Sequence, residues 1–276
     1  MKTSLLGPPP PLKWAGGKRW FVRRYRDALL KVPCRRIVEP FAGGLSLSFE
    51  IASHKNIPVL ASDINPHLIN FYKSLQLKEF EPIDLEVSKE FYTAIRSEFN
   101  QLITIGADSS LRGAQLFWAL NRLGFNGLCR FNKAGFFNTP YGSGYRKSLQ
   151  LPWDKYSVLL KNWTFQVGSF ETLEIQKKDF LFCDPPYDHG WQGYYESSFS
   201  FEQQVLLARW VQSQSVPAVL MNHATPRILE LYKSLGFNIH IISAPRRISA
   251  RSDCRENTEE VLAMHRLSWQ DLFKSV

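Results

Sequence analysis

The chain has 276 residues, 44% hydrophobic and 21% charged, with 34 Lys/Arg against 25 Asp/Glu for a net charge of +9. That is globular composition, enough for one large core or a core with a sizeable insertion, and it excludes intrinsic disorder. Secreted and membrane-spanning classes are excluded too, because no apolar run is long enough to span, the start meets Pro8 to Pro11 without an apolar leader, and the four cysteines stand apart at 34, 129, 183 and 254.

Residues 13 to 36 hold nine Lys/Arg (Lys13, Lys18, Arg19, Arg23, Arg24, Arg26, Lys31, Arg35, Arg36) against Asp27 alone, a net of +8. The run from Arg36 to Phe41 predicts a short strand that stops at Pro40, followed by Gly43-Gly44 and a helix over Leu45 to Ser53. Val59 to Asp63 predicts a second strand ending in a carboxylate, and Ile64 to Leu75 a second helix. From Glu86 to Leu123 the pattern is helical, with apolar residues at Phe91, Ile95, Phe99 and Leu102 and again over Leu111 to Leu123. Gly124 to Gly144, rich in Gly, Asn and Phe, reads as loops or a hairpin. A second basic window, residues 122 to 161, holds seven Lys/Arg against Asp154, a net of +6.

Strand pattern resumes at Trp163 to Val167 and at Phe180 to Cys183. Ser200 with Gln203 makes a capping box for a helix carrying Leu206, Leu207, Trp210 and Val211. Further strands are expected at Val219 to Met221, Asn238 to Ile242 and Val261 to Met264, with a helix near Arg227 to Leu235 and a basic loop over Pro245 to Asn257. The expected fold class is α/β: a Rossmann-like sheet with helices on both faces, interrupted by a mainly helical insertion with a hairpin. The expected division is 1–70 with 160–276 as a cofactor-binding catalytic part, and 71–159 as the insertion.

Ligands of open α/β sheets bind at the carboxyl ends of strands. Three such ends carry chemistry here: Phe41-Ala42-Gly43-Gly44, Ser62-Asp63, and Cys183-Asp184-Pro185-Pro186-Tyr187. The glycines admit a ligand close to the backbone, and Asp63, twenty residues on, suits a ribose diol. A tight turn would use the glycines equally well, and the GxGxxG dinucleotide fingerprint is absent. In Asp184-Pro185-Pro186-Tyr187 the prolines fix φ and lack N–H groups, so the Asp184 carboxylate and Pro185 carbonyl become two rigid acceptors beside a flat ring. Such a set fits the exocyclic amine of a planar base, whose lone pair is delocalised until both its hydrogens are accepted. The alternative is a strand stop with Tyr187 in the core.

The chain resembles the DNA adenine-N6 methyltransferases of the Dam type, the α-group with a DPPY tetrapeptide. The resemblance rests on Lys13-Trp14-Ala15-Gly16-Gly17-Lys18, Glu39-Pro40-Phe41-Ala42-Gly43, Asp63-Ile64-Asn65, the block Asn121 to Asn132, Phe137-Asn138-Thr139-Pro140-Tyr141-Gly142, the tetrapeptide, and Ser200-Phe201-Glu202-Gln203-Gln204. It implies that Trp14, Lys18, Phe41, Gly43, Asp63, Phe170 and Asp184 hold S-adenosylmethionine, and that Asp184, Pro185, Pro186 and Tyr187 act on the target amine. It implies no metal. The family's Phe-x-Gly-x-Gly departs here to Phe41-Ala42-Gly43-Gly44-Leu45, which leaves Gly44 open. For Trp14 and Phe41 the alternative is core packing, and for Lys18 a solvated lysine.

In the insertion, Asn126 and Arg130 carry the bidentate groups suited to adenine and guanine edges, and Phe125 and Leu128 are apolar wedges for a stack vacated by a flipped base, the alternative for Phe125 being packing inside the insertion. In the family the Arg130 position reads a guanine and the Lys13 position reaches another base. Arg122, Asn132 and Pro140 join this DNA-facing set. Lys133, Arg146 and Lys147 suit phosphates, and Arg246, Arg247, Arg251 and Arg255 form another basic loop, read as a clamp on the DNA backbone with a solvated loop as the alternative. The implied partner is double-stranded DNA, without a membrane. A cognate restriction endonuclease is left open, the free protein is expected to be a monomer, and its place is the cytoplasm, with the nucleoid. GATC is the leaning for the recognition sequence. Rival readings are transfer to cytosine N4 or RNA, a silent DNA-binding relative, and a protein glutamine methyltransferase, in which Asn usually replaces the Asp184 position.

Overall fold

The computed structural model describes residues 8–78, 80–142, 151–188, 199–245 and 258–270. Strands β1 (Arg36–Glu39), β2 (Val59–Asp63), β3 (Thr164–Val167), β4 (Asp179–Cys183), β5 (Ala218–His223), β6 (Asn238–Ala244) and β7 (Thr258–His265) form one sheet in the order β3-β2-β1-β4-β5-β7-β6. All pairs are parallel except those of β7, which runs antiparallel to both β5 and β6. The chain steps outward from β1 through β2 to β3, then returns to lay β4 on the other side of β1. That reversal opens a crevice at the carboxyl ends of β1 and β4, where an open α/β sheet takes its ligand.

The strands read as continuous apolar runs because both sheet faces are covered. Alternate residues enter two separate cores. Phe180 and Phe182 of β4, with Val219 and Met221 of β5, face one; Leu181 and Cys183, with Ala218 and Leu220, face the other. Helices α1 (Arg19–Lys31), α2 (Ser46–Lys55) and α3 (Pro66–Gln76) cover the first face, and α7 (Phe201–Ser213) and α8 (Pro226–Ser234) the second. The capping box of α7 is formed: the Ser200 hydroxyl accepts from Gln203 N at 3.3 Å, and Ser200 N donates to Gln203 Oε1 at 2.7 Å.

The insertion contributes α4 (Lys89–Thr104), α5 (Leu111–Leu123), a loop over 124–142 closed by antiparallel bridges Gly124↔Tyr141 and Phe131↔Phe137, and α6 (Trp153–Leu159). Its apolar residues, among them Tyr92, Phe99, Phe117 and Phe137, belong to the same core as the first sheet face. Helices α1 and α6 are not among the sequence expectations. α1 is specified by Phe21, Val22, Tyr25, Ala28 and Leu29, which recur at the helical period and are buried. The same helix carries much of the basic window, and part of that charge is taken up internally: Arg26 pairs with Glu50 at 2.6 Å and Arg36 with Asp179 at 2.6 Å. Among the described residues no helix is long and apolar enough to cross a membrane.

Candidate active site and nucleic-acid interface

At the end of β1 the chain turns through Gly43 with φ +45°, directly under the Trp14 indole; a Cβ there would sit 2.7 Å from Trp14 Nε1. Leu45, which stands where the resemblance expects glycine, keeps the left-handed conformation (φ 48°) that glycine adopts without strain. The turn is fastened from two sides. Tyr72 Oη donates to Gly43 O at 2.8 Å, and Asp63 Oδ2 accepts from Gly43 N at 3.2 Å while its Oδ1 accepts from Asn65 N at 3.0 Å. Burial pushes the Asp63 carboxyl up, against the backbone N–H groups that favour its ionised form. Phe41 is half-buried and its ring lies 6.0 Å from Phe170 and 5.5 Å from Phe199. Phe170 itself is buried in the second core. Ile64, just after Asp63, is 64% exposed, an apolar surface offered at the strand end.

Across the crevice β4 delivers Asp184. Lys18, 5% exposed, brings Nζ to 3.0 Å from Asp184 Oδ1 as an ion pair without hydrogen-bond alignment, and the same ammonium donates to Gly16 O at 2.7 Å. Burial raises the Asp184 pKa and the Lys18 charge works against that rise. Pro186 O accepts from Gln204 Nε2 at 2.9 Å, Gln204 Oε1 from Asn222 Nδ2 at 2.9 Å, and Asn222 Oδ1 from Asp188 N at 2.9 Å. Asp188 in turn accepts from Arg227 Nε at 2.7 Å and Thr225 Oγ1 at 3.1 Å. The tetrapeptide is thus held by buried polar side chains of α7 and β5, with its prolines limiting φ. Tyr187 Oη donates to Glu260 Oε2 at 3.0 Å, its ring meets His223 edge-on at 4.8 Å, and Lys18 Nζ lies 4.6 Å from the ring centroid. Beneath the site Glu39, 3% exposed, accepts from Ser48 N at 3.0 Å; burial, with the Asp184 charge adding to it, pushes its pKa up to about 8.

The insertion meets the N-terminal segment through Asn121. Fully buried on α5, it accepts from Lys13 N at 2.9 Å and donates to Lys13 O at 2.8 Å and Gly127 O at 2.9 Å. Gly127 (φ +69°) lies flush against the Lys13 carbonyl, where any side chain would collide. The Lys13 ammonium has a lowered pKa from burial and from the like charge of Arg122. Asn126 adopts φ +53°, and Phe125 is 43% exposed, so packing inside the insertion does not account for it. Leu128 is half-buried.

The Arg130 guanidinium is steered by Asn138: Nε donates to Oδ1 at 2.7 Å and Nη2 to the carbonyl at 2.9 Å. Helix α4 supports this loop, with Tyr92 Oη donating to Thr139 O at 2.8 Å and Asn100 bonding both polar groups of the Phe137 backbone. Asn132 Oδ1 accepts from Ala134 N and Phe136 N, shaping the turn that presents Lys133; Lys133 and Pro140 are exposed. Arg146, Lys147, Arg246, Arg247, Arg251 and Arg255 lie outside the described residues.

Trp14, Lys18, Phe41, Gly43 and Asp63 therefore lie at the same sheet edge as the tetrapeptide, and Lys13 with the 125–140 loop forms a neighbouring basic face tied to it through Asn121. Five residues that pattern reading did not single out belong to this arrangement: Tyr72, Asn121, Asn138, Asn222 and Glu260. Tyr72, Asn121, Asn222 and Glu260 act through contacts 18 or more residues away in sequence and Asn138 through one 8 residues away; only the polar group of Asn121, Asn222 and Glu260 in an otherwise apolar stretch signals any of them.

Residues 14–248 match the family described as D12 class N6 adenine-specific DNA methyltransferase. The chain is 34% identical to the retron Ec67 DNA adenine methylase of Escherichia coli, over 92% of this chain and 90% of that protein. It is 32% identical to the DNA adenine methylase of Vibrio cholerae serotype O1, over 92% and 94%. With the DNA N-6-adenine-methyltransferase of Escherichia phage P1 the identity is 32%, over 91% of this chain and 35% of the phage protein. The chain belongs to the D12 class of N6 adenine-specific DNA methyltransferases.

Proposed function

We propose that the methyl donor is S-adenosylmethionine and that the target is an adenine flipped out of duplex DNA, with GATC as the leaning for the site. The observation that carries this reading is the Asp184 carboxylate: it stands at the switch-point crevice opposite the Gly43–Asp63 turn, on a tetrapeptide fixed by Gln204 and Asn222. The residues present fit such a donor. Asp63 offers a carboxylate to a ribose diol, Gly43 lets the Trp14 indole close over the turn, and Ile64 with Phe41 offers apolar surface to an adenine ring. The donor supplies an electrophilic methyl group on a sulfonium.

The chain's own residues do the rest. Asp184 Oδ and the Pro185 carbonyl accept the two N6 hydrogens, which favours the pyramidal amine that attacks in line, and Tyr187 stacks on the base. The Lys18 ammonium opposes the rise that burial gives the Asp184 pKa, and so favours the ionised, accepting form. No covalent enzyme intermediate is required. Residues 71–159 with Lys13 form the recognition part and 1–70 with 160–276 the catalytic part; Arg130 reads a guanine edge, Asn126 an adenine edge, and Phe125 and Leu128 fill the vacated stack. The free protein is read as a cytoplasmic monomer that associates with DNA through its positive charge, and the reading requires no restriction partner.

Two measurements test it. Titration of S-adenosylmethionine should show saturable binding that Asp63→Ala weakens by at least about tenfold, as expected for a lost charge-assisted hydrogen bond. Mapping methylated adenines in DNA from cells expressing the chain gives the target; methylation scattered over unrelated adenines would contradict site-specific reading by the insertion.

A further inference from the structure

Strand β7 is apolar through its middle, with Val261, Leu262, Ala263 and Met264 all buried, yet Glu260 is buried at 7% exposure. A carboxylate in that position is costly to desolvate, and burial accordingly raises its pKa. Its neighbours explain why it sits there. Because β7 runs antiparallel to β5, its amino-terminal end comes to the edge where the parallel strands end, and Glu260 pairs directly with His223, the last residue of β5. Directly opposed residues of an antiparallel pair point to one face. The Tyr187 ring fits against both: its hydroxyl donates to Glu260 Oε2 at 3.0 Å, and its edge meets His223 at 4.8 Å with the planes at 79°.

We propose that Glu260 is a positioning residue for methyl transfer: by holding the Tyr187 hydroxyl against the β5–β7 pair it fixes the ring plane on which the target base stacks. The inference rests on the reading of Tyr187 as the stacking face. A ring anchored at its far end presents a rigid platform before the base arrives, so the chain orders nothing there at the moment of reaction. The role is exerted through Tyr187 and needs no contact between Glu260 and substrate.

The test compares Glu260→Ala, Glu260→Gln, Tyr187→Phe, Tyr187→Ala and the double variant Tyr187→Phe/Glu260→Ala. It uses the single-turnover methyl-transfer rate at saturating donor and duplex, duplex affinity, and the emission of 2-aminopurine in place of the target adenine. Glu260→Ala and Tyr187→Phe should each slow transfer about tenfold to a hundredfold, the range for one hydrogen bond to a charged group, with affinity changed less than about threefold and brighter 2-aminopurine emission. Glu260→Gln, whose amide oxygen still accepts the hydroxyl, should restore most of the rate. The double variant should be no slower than either single one. A wild-type rate for Tyr187→Phe, which leaves β7 untouched, overturns the proposal, as does a double variant whose losses multiply. A wild-type rate for Tyr187→Ala instead overturns the stacking reading beneath it, so the two failures are told apart.

Discussion

Replacing Glu39 by Gln should make the protein more resistant to unfolding, by an amount that grows with pH. Glu39 is buried at the end of β1, accepts one backbone hydrogen bond from Ser48, and has its pKa lifted from an ordinary 4.5 to about 8. In the unfolded chain the carboxyl ionises above about 4.5. In the folded protein it holds its proton up to about 8. Between those values the unfolded state binds fewer protons than the folded one, so this group's contribution to stability falls steadily as pH rises and levels off above about 8. At about 1.4 kcal/mol per tenfold, the full difference is on the order of 3–6 kcal/mol. Gln keeps the acceptor for Ser48 N and cannot ionise. Urea unfolding at a series of pH values from 5 to 8 should therefore give nearly equal stabilities at the acid end and a gap of several kcal/mol in favour of the variant at the alkaline end. Two curves that run parallel across the series would refute the burial argument for Glu39.

Removing the charge beside Asp184 by Lys18→Met should move the acid limb of the pH–rate profile to higher pH, because burial then raises the Asp184 pKa with only the Tyr187 hydroxyl against it; a limb that stays put would mean Lys18 does not favour the ionised carboxylate. Arg130→Ala should cost about 1–3 kcal/mol of discrimination at one base pair, measured as relative transfer rates on cognate and single-mismatch duplexes, and equal ratios would count against guanine reading. Asn121→Ala leaves Lys13 N, Lys13 O and Gly127 O without their buried partner, so thermal unfolding should report a loss of about 2–4 kcal/mol.

The strands and the helices between them were legible because their signals are local: an apolar run, a stop, a cap. The same holds for the strand-end residues Gly43, Asp63 and Asp184, since in a parallel sheet the carboxyl ends meet at the switch point whatever the register. Glu260 escaped that rule because it begins a strand; only the antiparallel insertion of β7 between β5 and β6 turns its start toward the crevice. Asn121 was visible as part of a motif but not as a clamp, because its partner Lys13 lies 108 residues away. Helix α1 was hidden by its own charge: basic residues dominate the composition of its segment, while the period of Phe21, Val22, Tyr25, Ala28 and Leu29 carried the structural information. Lys18 was legible as part of the Lys13-to-Lys18 motif, and the structure pairs it with Asp184.

The most direct test of the account is single-turnover methyl transfer by Asp184→Ala, with duplex binding measured on the same preparation. If the Asp184 carboxylate grips the adenine amine while the insertion and Lys13 carry the binding, transfer to N6 is lost and affinity for DNA stays within about tenfold. Transfer at a rate near that of the unaltered protein would contradict it.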